Sequence, residues 1–188
     1  LAEVVDEATA AFERYDYTRA LEAAETFFWQ FTDDYVELVK ERAYGAQGDP
    51  AQASARATLG VALDVLLRLF APFLPFVTEE VWSWWREGSV HAAAWPEAGA
   101  IRSLAGEGDP RLLEQSALIL TAVRKAKSEA KVSMRHGIER AVITGPLAEI
   151  ESVRAAVPDL VAAGSIADLA LQEGPGPLTV EAVLASDS

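Results

Sequence analysis

Leu66 to Trp82 reads L-L-R-L-F-A-P-F-L-P-F-V-T-E-E-V-W, and this stretch decides how the first half of the chain folds. Its leucines continue a helical spacing of apolar residues that starts near Ala51, which predicts a long amphipathic helix. Pro72 ends that helix because proline lacks an N–H and disfavours helical geometry in the preceding residue. Pro75 suits the first turn of a following helix, which Gly88 closes. We therefore expect two helices joined by a short turn.

A second informative stretch, Phe27 to Lys40, reads F-F-W-Q-F-T-D-D-Y-V-E-L-V-K. It lies within a predicted helix of about 27 residues that Asp16 can cap. Its helical spacing places most of the aromatic side chains in the core and leaves Trp29 or a neighbour exposed. The core-facing residues expected in this helix are Leu21, Ala24, Phe28, Phe31, Tyr35, Leu38 and Val39. In the two helices of the first stretch they are Leu59, Ala62, Leu63, Leu66, Leu67, Phe70, Val77, Val81, Trp82 and Trp85.

Together the two stretches resemble the all-helical anticodon-binding domain of class I aminoacyl-tRNA synthetases for branched aliphatic amino acids, most closely the valyl-tRNA synthetases. The first resembles that family's L-L-H-P-F-M-P-F-I-T-E-E-I-W signature, with Ala71 in place of His. The second resembles F-x-W-x-x-F-C-D-W-Y-x-E-x-x-K, with Thr32 and Asp34 in place of Cys and Trp. Gly88 to His91 with Trp95-Pro96 is similar to its S-I-H…W-P connection, and Val123 to Glu129 to its R-x-x-K/R-x-E helix. The likeness covers about residues 1–145.

This resemblance implies a region that binds the anticodon arm of tRNA-Val. It also implies catalytic and editing domains in the same polypeptide, the use of ATP with Mg by the full-length ligase, and a cytoplasmic location. The chain begins without an initiating Met or a helix cap, and we expect it to be a fragment of a longer protein. The H-I-G-H and K-M-S-K-S signatures of class I enzymes are absent, and Lys131 to Arg135 is only a superficial echo of the second. We assign no catalytic residue and expect the fragment alone to be inactive, with no cofactor of its own.

The rest of the chain predicts a mainly α fold with a small α+β appendage. Residues 1–108 are expected to form a bundle of four helices plus an irregular connector, anchored by Trp95. Residues 109–188 are expected to hold a fifth long helix, which Asp109-Pro110 starts, and the α+β unit. That unit is predicted as a strand over 138–143, a helix over 147–156, and strands over 166–171 and 178–184.

Composition limits the functions that the chain can have. It has 188 residues, no Cys and two His, which excludes disulfides and a conventional zinc site, and we expect no bound metal. Neither a secretion leader nor a membrane span is indicated, and we expect no membrane or DNA partner. The net charge of −13 opposes RNA binding, but its distribution is uneven. Residues 111–140 hold seven Lys/Arg and three Asp/Glu, and form the one net-positive block.

That block supplies the main RNA-contact candidates. A face with Arg124, Lys127 and Lys131 at i, i+3 and i+7 would present three cations on one side of a helix, which suits a phosphate backbone. A solvated basic face that balances an acidic bundle explains the same pattern. Arg14 and Arg19 are secondary candidates, and the full set of proposed RNA-binding residues is Arg124, Lys125, Lys127, Lys131, Arg135, Lys40, Arg42 and Trp29.

Two alternatives stay open at this point. The isoleucyl- and leucyl-tRNA synthetases share the architecture, so the chain could be their equivalent domain. The acidity and surplus tryptophans also fit a non-catalytic helical adaptor that binds protein. Trp82, Trp84 and Trp85 cannot all point inward, because adjacent residues on a helix lie about 100° apart. At least one of them is therefore expected on the surface.

Overall fold

Helices occupy most of the chain up to residue 129, and a small sheet with two short helices follows. The computed structural model describes residues 1–106, 108–109 and 111–186. In chain order the helices are α1 (Ala2–Glu13), α2 (Tyr17–Gln30), α3 (Glu37–Ala43), α4 (Asp49–Phe70), α5 (Pro75–Ser83), α6 (Ala98–Ala105), α7 (Arg111–Glu129), α8 (Leu147–Arg154) and α9 (Val157–Gly164). The strands are β1 (Ile138–Gly145), β2 (Ile166–Glu173) and β3 (Thr179–Leu184). This confirms the predicted mainly α fold with a small α+β part.

The chain divides into two units. Leu1–Asp33 and Arg56–Gly108 form the first unit, and Asp34–Ala55 and Asp109–Ser188 form the second. Among the residues that the structure describes, no helix is both long and apolar enough to cross a membrane.

Small side chains dominate the core of the first unit. Ala8, Ala11, Ala20 and Ala24 are buried where α1 packs against α2, and Val65 and Leu69 are buried on α4. Alanine at such contacts lets two helices approach closely, because little side-chain volume separates their backbones.

The predicted long second helix is present, but a π-helical segment interrupts it. Asp16 caps it as expected, accepting a hydrogen bond from the Arg19 N–H at 3.1 Å. Phe31–Val36 then forms the π-helix that connects α2 to α3. The Thr32 hydroxyl donates to the carbonyls of Phe28 and Trp29 at 2.9 and 3.1 Å, and a hydroxyl that competes for helix carbonyls favours a local distortion. The wider turn explains why Phe31 and Tyr35 are only partly buried.

The two helices predicted from the opening stretch are confirmed as α4 and α5, with a different inward face. Leu63, Val77 and Trp85 are exposed, so their prediction as core residues is wrong. On α5 the buried pair is Thr78 and Trp82, one turn apart. Threonine can occupy this face because its hydroxyl donates to the Leu74 carbonyl at 2.8 Å.

The same helix leaves large apolar side chains on the surface. Trp84 is 70% exposed, which confirms that the three tryptophans cannot all be buried. Phe76 is 90% exposed.

The predicted connector contains regular structure that the sequence pattern did not indicate. A 3-10 turn (Val90–Ala92) and α6 lie within it. Trp95 anchors this segment as expected, because its indole N–H donates to the Thr9 hydroxyl at 2.9 Å. Its ring also packs edge-on against Phe12, with centroids 5.3 Å apart.

In the second unit β1 is the central strand of a sheet with order β2-β1-β3. It pairs parallel with β2 and antiparallel with β3. A parallel neighbour requires a crossover connection, and α8 and α9 provide it. Val123 of α7 packs against the buried side chains Ile138, Ala141 and Ile166 of the sheet.

The start of α7 agrees with the predicted capping carboxylate. Asp109 accepts from the Arg111 backbone N–H at 3.0 Å and also from the Arg111 guanidinium and the Ser152 hydroxyl. These hydrogen bonds lower the pKa of the Asp109 carboxyl to about 2. Pro110, expected at the first helical position, lies outside the described residues.

Candidate nucleic-acid interface

The predicted RNA-binding residues come from three parts of the chain. Trp29 is on α2 in the first unit, and the other candidates are in the second. Lys40 and Arg42 are on α3, whereas Lys131 and Arg135 lie in the segment between α7 and β1. The remaining candidates are all on α7: Arg124, Lys125 and Lys127.

Lys127 is not on the surface. Its side chain is buried, with 2% of the residue exposed. The ammonium donates to the Met134 carbonyl at 3.0 Å and to the Gly164 carbonyl at 2.9 Å. Gly164 is the last residue of α9, where the negative end of the helix dipole stabilises a cation. Burial lowers the pKa of the Lys127 ammonium below its ordinary value.

The predicted face of three cations on one helix is therefore wrong. α7 ends at Glu129, and Lys131 follows it in a left-handed backbone conformation with φ of 58°. An i, i+7 relation holds only along a continuous helix, so Lys131 does not continue the row from Arg124. Lys127, the middle member, points into the unit.

The second unit instead brings four of the candidates around one cavity of about 330 Å³. Lys40 contributes from α3, Arg124 and Lys127 from α7, and Arg135 from the segment after it. Leu120, Val123 and Met134 provide apolar wall, and α9 closes one side with Ala162, Ala163 and Gly164.

Carboxylates of α3 also line this cavity. Glu37 and Glu41 are the acidic members, and Glu37 lies 3.5 Å from the Lys40 ammonium. Four cations against two carboxylates leave the lining net positive, in a chain whose net charge is −13. A concave positive surface focuses the electrostatic field and attracts anions more strongly than the same charges spread over a convex face.

Arg42 has an internal partner and does not line the cavity. Its guanidinium lies 3.1 Å from a carboxylate oxygen of Asp159, which is buried on α9. The same carboxylate accepts from the Gln47 amide at 2.7 Å. Breaking a buried ion pair is costly, so this contact fixes Arg42 as a link between α3 and α9.

The other candidates lie apart from the cavity lining. Lys125 is exposed on α7 and lies 3.9 Å from Glu129, and Lys131 is also exposed. Trp29 is 56% exposed, and its indole N–H donates to Glu25 at 3.5 Å. The exposed tryptophan agrees with the prediction, whereas its contact with RNA stays a prediction.

The sequence indicated the cations but did not indicate the helix packing that brings them together. The contribution of Lys40 depends on α3 packing against α9, and α9 was not predicted. Its sequence, V-P-D-L-V-A-A-G, is short and includes a proline. The signal that was available is Pro158 in the first turn, followed by the apolar residues Leu160 and Val161 and the terminal Gly164.

Comparison with known proteins identifies the class. The family model described as the anticodon-binding domain of tRNA ligase matches residues 1–143, and the chain belongs to this family. Its relatives include a valine–tRNA ligase of Thermobifida fusca, 56% identical over 92% of this chain and 19% of that protein. The valine–tRNA ligases of Salinispora arenicola and Cutibacterium acnes are each 48% identical over 98% of this chain. The chain spans about one fifth of the length of these relatives.

Proposed function

We propose that the chain is the tRNA-binding region of a valine–tRNA ligase and that it holds the anticodon arm of tRNA-Val. The observation that carries this proposal is the 56% identity to a protein named valine–tRNA ligase, over 92% of the chain. Family membership adds the role in anticodon binding. The relatives named above are all valine–tRNA ligases, which favours valine over the isoleucyl and leucyl alternatives.

The charge distribution supports the same proposal. The protein is acidic overall, so a phosphate backbone is repelled by most of its surface. Among the described residues that we predicted to contact RNA, four line the cavity of the second unit, which is net positive. Affinity for the anticodon arm would depend on this cavity and on further basic surface elsewhere in the longer polypeptide.

In this proposal the chemistry takes place outside the chain. The longer polypeptide would join valine to its tRNA with ATP and Mg, in the cytoplasm, through catalytic and editing domains that precede the helical region. The described residues include no group of three or more His, Asp or Glu side chains that could hold a metal ion. ATP and Mg would bind the catalytic domain of that polypeptide, as the family resemblance implies. This proposal also divides the chain by function between residues 108 and 109. The anticodon-binding helical bundle lies before that point, and the fifth long helix with the α+β unit lies after it.

Aminoacylation by the full-length polypeptide tests the substrate. The enzyme is supplied with ATP, one of valine, isoleucine or leucine, and transcripts of the three matching tRNAs. We expect charging of tRNA-Val with valine, and loss of charging when its anticodon is replaced by that of tRNA-Ile. Charging of a different tRNA would contradict the assignment to valine, and undiminished charging after the anticodon exchange would contradict the role of this region.

A filter-binding measurement separates the proposal from the protein-binding adaptor. The full-length polypeptide is titrated at low salt with tRNA-Val and with an unrelated RNA of equal length. Preferential retention of tRNA-Val supports anticodon binding, because non-specific phosphate contacts contribute equally to both RNAs. Equal retention of the two RNAs argues for the adaptor.

A further inference from the structure

The cavity of the second unit has one feature that a basic surface patch lacks, which is a buried and oriented ammonium. An ammonium carries three N–H donors. Lys127 uses two of them on the carbonyls of Met134 and Gly164. None of the described residues provides an acceptor for the third, and Lys127 lines the cavity.

We propose that this cavity binds a single phosphate group from an unpaired stretch of RNA, held by the third donor of Lys127 and by the cations at its rim. The proposal rests on the proposed function, because the RNA it names is the anticodon loop of the bound tRNA. The rim cations are Arg124, Arg135 and Lys40, which reach the cavity from separate elements.

The chemistry of the lining suits a phosphate group. A phosphodiester presents two unesterified oxygens that accept several charge-assisted hydrogen bonds, and guanidinium and ammonium groups are its preferred donors. The apolar walls formed by Leu120 and Val123 lower the local dielectric, which strengthens each of these contacts. The carboxylates Glu37 and Glu41 lower the net charge of the lining to +2, which suits a group of one negative charge such as a phosphodiester.

The shape of the site favours an unpaired strand over a duplex. The ammonium of Lys127 is buried, so a bound phosphate has to enter the cavity to reach it. In an A-form duplex the phosphates are held at fixed spacing on a wide and rigid helix. In an unpaired loop the flexible strand can turn one phosphate away from its neighbours. A duplex would contact the rim cations alone.

Lys127 also has a fixed position, which distinguishes it from an ordinary surface lysine. Its two carbonyl partners belong to different elements, namely the last residue of α9 and the segment before β1. A donor held in this way loses little conformational freedom when a ligand binds. Binding is therefore stronger than it would be to a flexible side chain. The sequence alone gave no sign of this, because a lysine on a helix is usually solvated.

Matched charge-removal variants of the full-length polypeptide provide the test. Arg135→Met and Lys40→Met each remove one rim cation. Arg154→Met is the control, because it removes the same charge from an exposed position on α8 that does not line the cavity. Binding of tRNA-Val is measured between about 50 and 200 mM salt, the range over which phosphate contacts weaken markedly.

We expect each rim variant to weaken binding about tenfold at low salt and to lower the log–log salt slope by about 0.7, as for one lost single-strand phosphate contact. Phosphorothioate transcripts cleaved with iodine locate that contact. One loop phosphate should be protected by the wild type and the Arg154→Met control, and unprotected in both rim variants. Equal effects of rim and control variants, or protection confined to paired regions, would overturn the proposal.

Two further arms separate the possible failures. If the wild type does not bind tRNA-Val above an unrelated RNA, the proposed function fails, and this inference fails with it. If tRNA-Val binds and the rim variants behave as the control does, the cavity inference alone fails. Inorganic phosphate, added against chloride at equal ionic strength, should compete weakly with tRNA. Displacement at low millimolar phosphate would instead assign the cavity to free phosphate and overturn the assignment to RNA.

Discussion

Replacing Lys127 with methionine removes a buried ammonium while keeping most of its apolar stem. The change leaves the carbonyls of Met134 and Gly164 without this donor, and each unsatisfied buried acceptor costs about 1–3 kcal/mol. Removing the charge also removes the penalty of burying it, which offsets part of that loss. We expect the free energy of unfolding to fall by about 2 kcal/mol, a large share of the 5–15 kcal/mol typical of a domain.

Urea unfolding followed by circular dichroism measures this difference, and hydrogen exchange of the β1 and β2 amides assigns it to the second unit. Lys125→Met is the control for stability, because an exposed ion pair contributes less than about 1 kcal/mol. The reasoning is refuted if Lys127→Met lowers stability no more than the control does, or if the exchange of β1 and β2 is unchanged.

The pH dependence of the same pair of proteins gives an independent check. The pKa of Lys127 is lowered in the folded state, so the unfolded state binds its proton more tightly. Stability of the wild type therefore rises with pH between the lowered pKa and the ordinary value near 10.5. The methionine variant lacks this rise, and the difference between the two proteins should widen across that window. A difference that does not vary with pH would mean that the ammonium is not desolvated.

Three further predictions concern other residues. Asp159→Asn leaves Arg42 without its buried charge partner and weakens the contact with Gln47, and should lower the free energy of unfolding by about 3 kcal/mol in urea. Asp109 has a folded-state pKa of about 2, below its ordinary 3.8, so its stabilising effect is present above pH 4 and is lost as pH falls towards 2. Between pH 4 and pH 2 the free energy of unfolding of Asp109→Asn should therefore fall less than that of the wild type. Phe76→Ser should change the free energy of unfolding by less than about 0.5 kcal/mol, because the ring is 90% exposed. A larger decrease would mean that the ring packs against other residues.

Much of the fold could be predicted because its signals are local. The end of α4 follows from Pro72, the start of α5 from Pro75, and the starts of α2 and α7 from the capping side chains of Asp16 and Asp109. Each of these rests on the chemistry of one or two neighbouring residues. These helix boundaries can therefore be predicted from the sequence alone.

The errors came from features that the hydrophobic periodicity does not show. The π-helical segment depends on hydroxyl bonding by Thr32, which changes the phase of an otherwise regular periodicity. The side of α5 that is buried depends on which neighbours it meets, and Thr78 takes a place expected for Val77. The second of these effects is set by tertiary packing.

The candidate site was predictable in composition and not in geometry. The charge count along the chain singles out residues 111–140. It could not indicate that Lys127 turns inward, that Arg42 pairs with Asp159, or that Lys40 joins the cavity from a distant helix. Each of these depends on contacts between residues far apart in sequence.

The contact between α3 and α9 also constrains how the protein is made. Gln47 and its partner Asp159 are separated by 112 positions. A ribosome that adds about 5–20 residues per second needs roughly 5–20 s to synthesise that interval. During this time the side of α3 that contacts α9 in the finished protein has no partner. We therefore expect slower translation after α3 to prolong this exposure and to increase aggregation of the nascent chain.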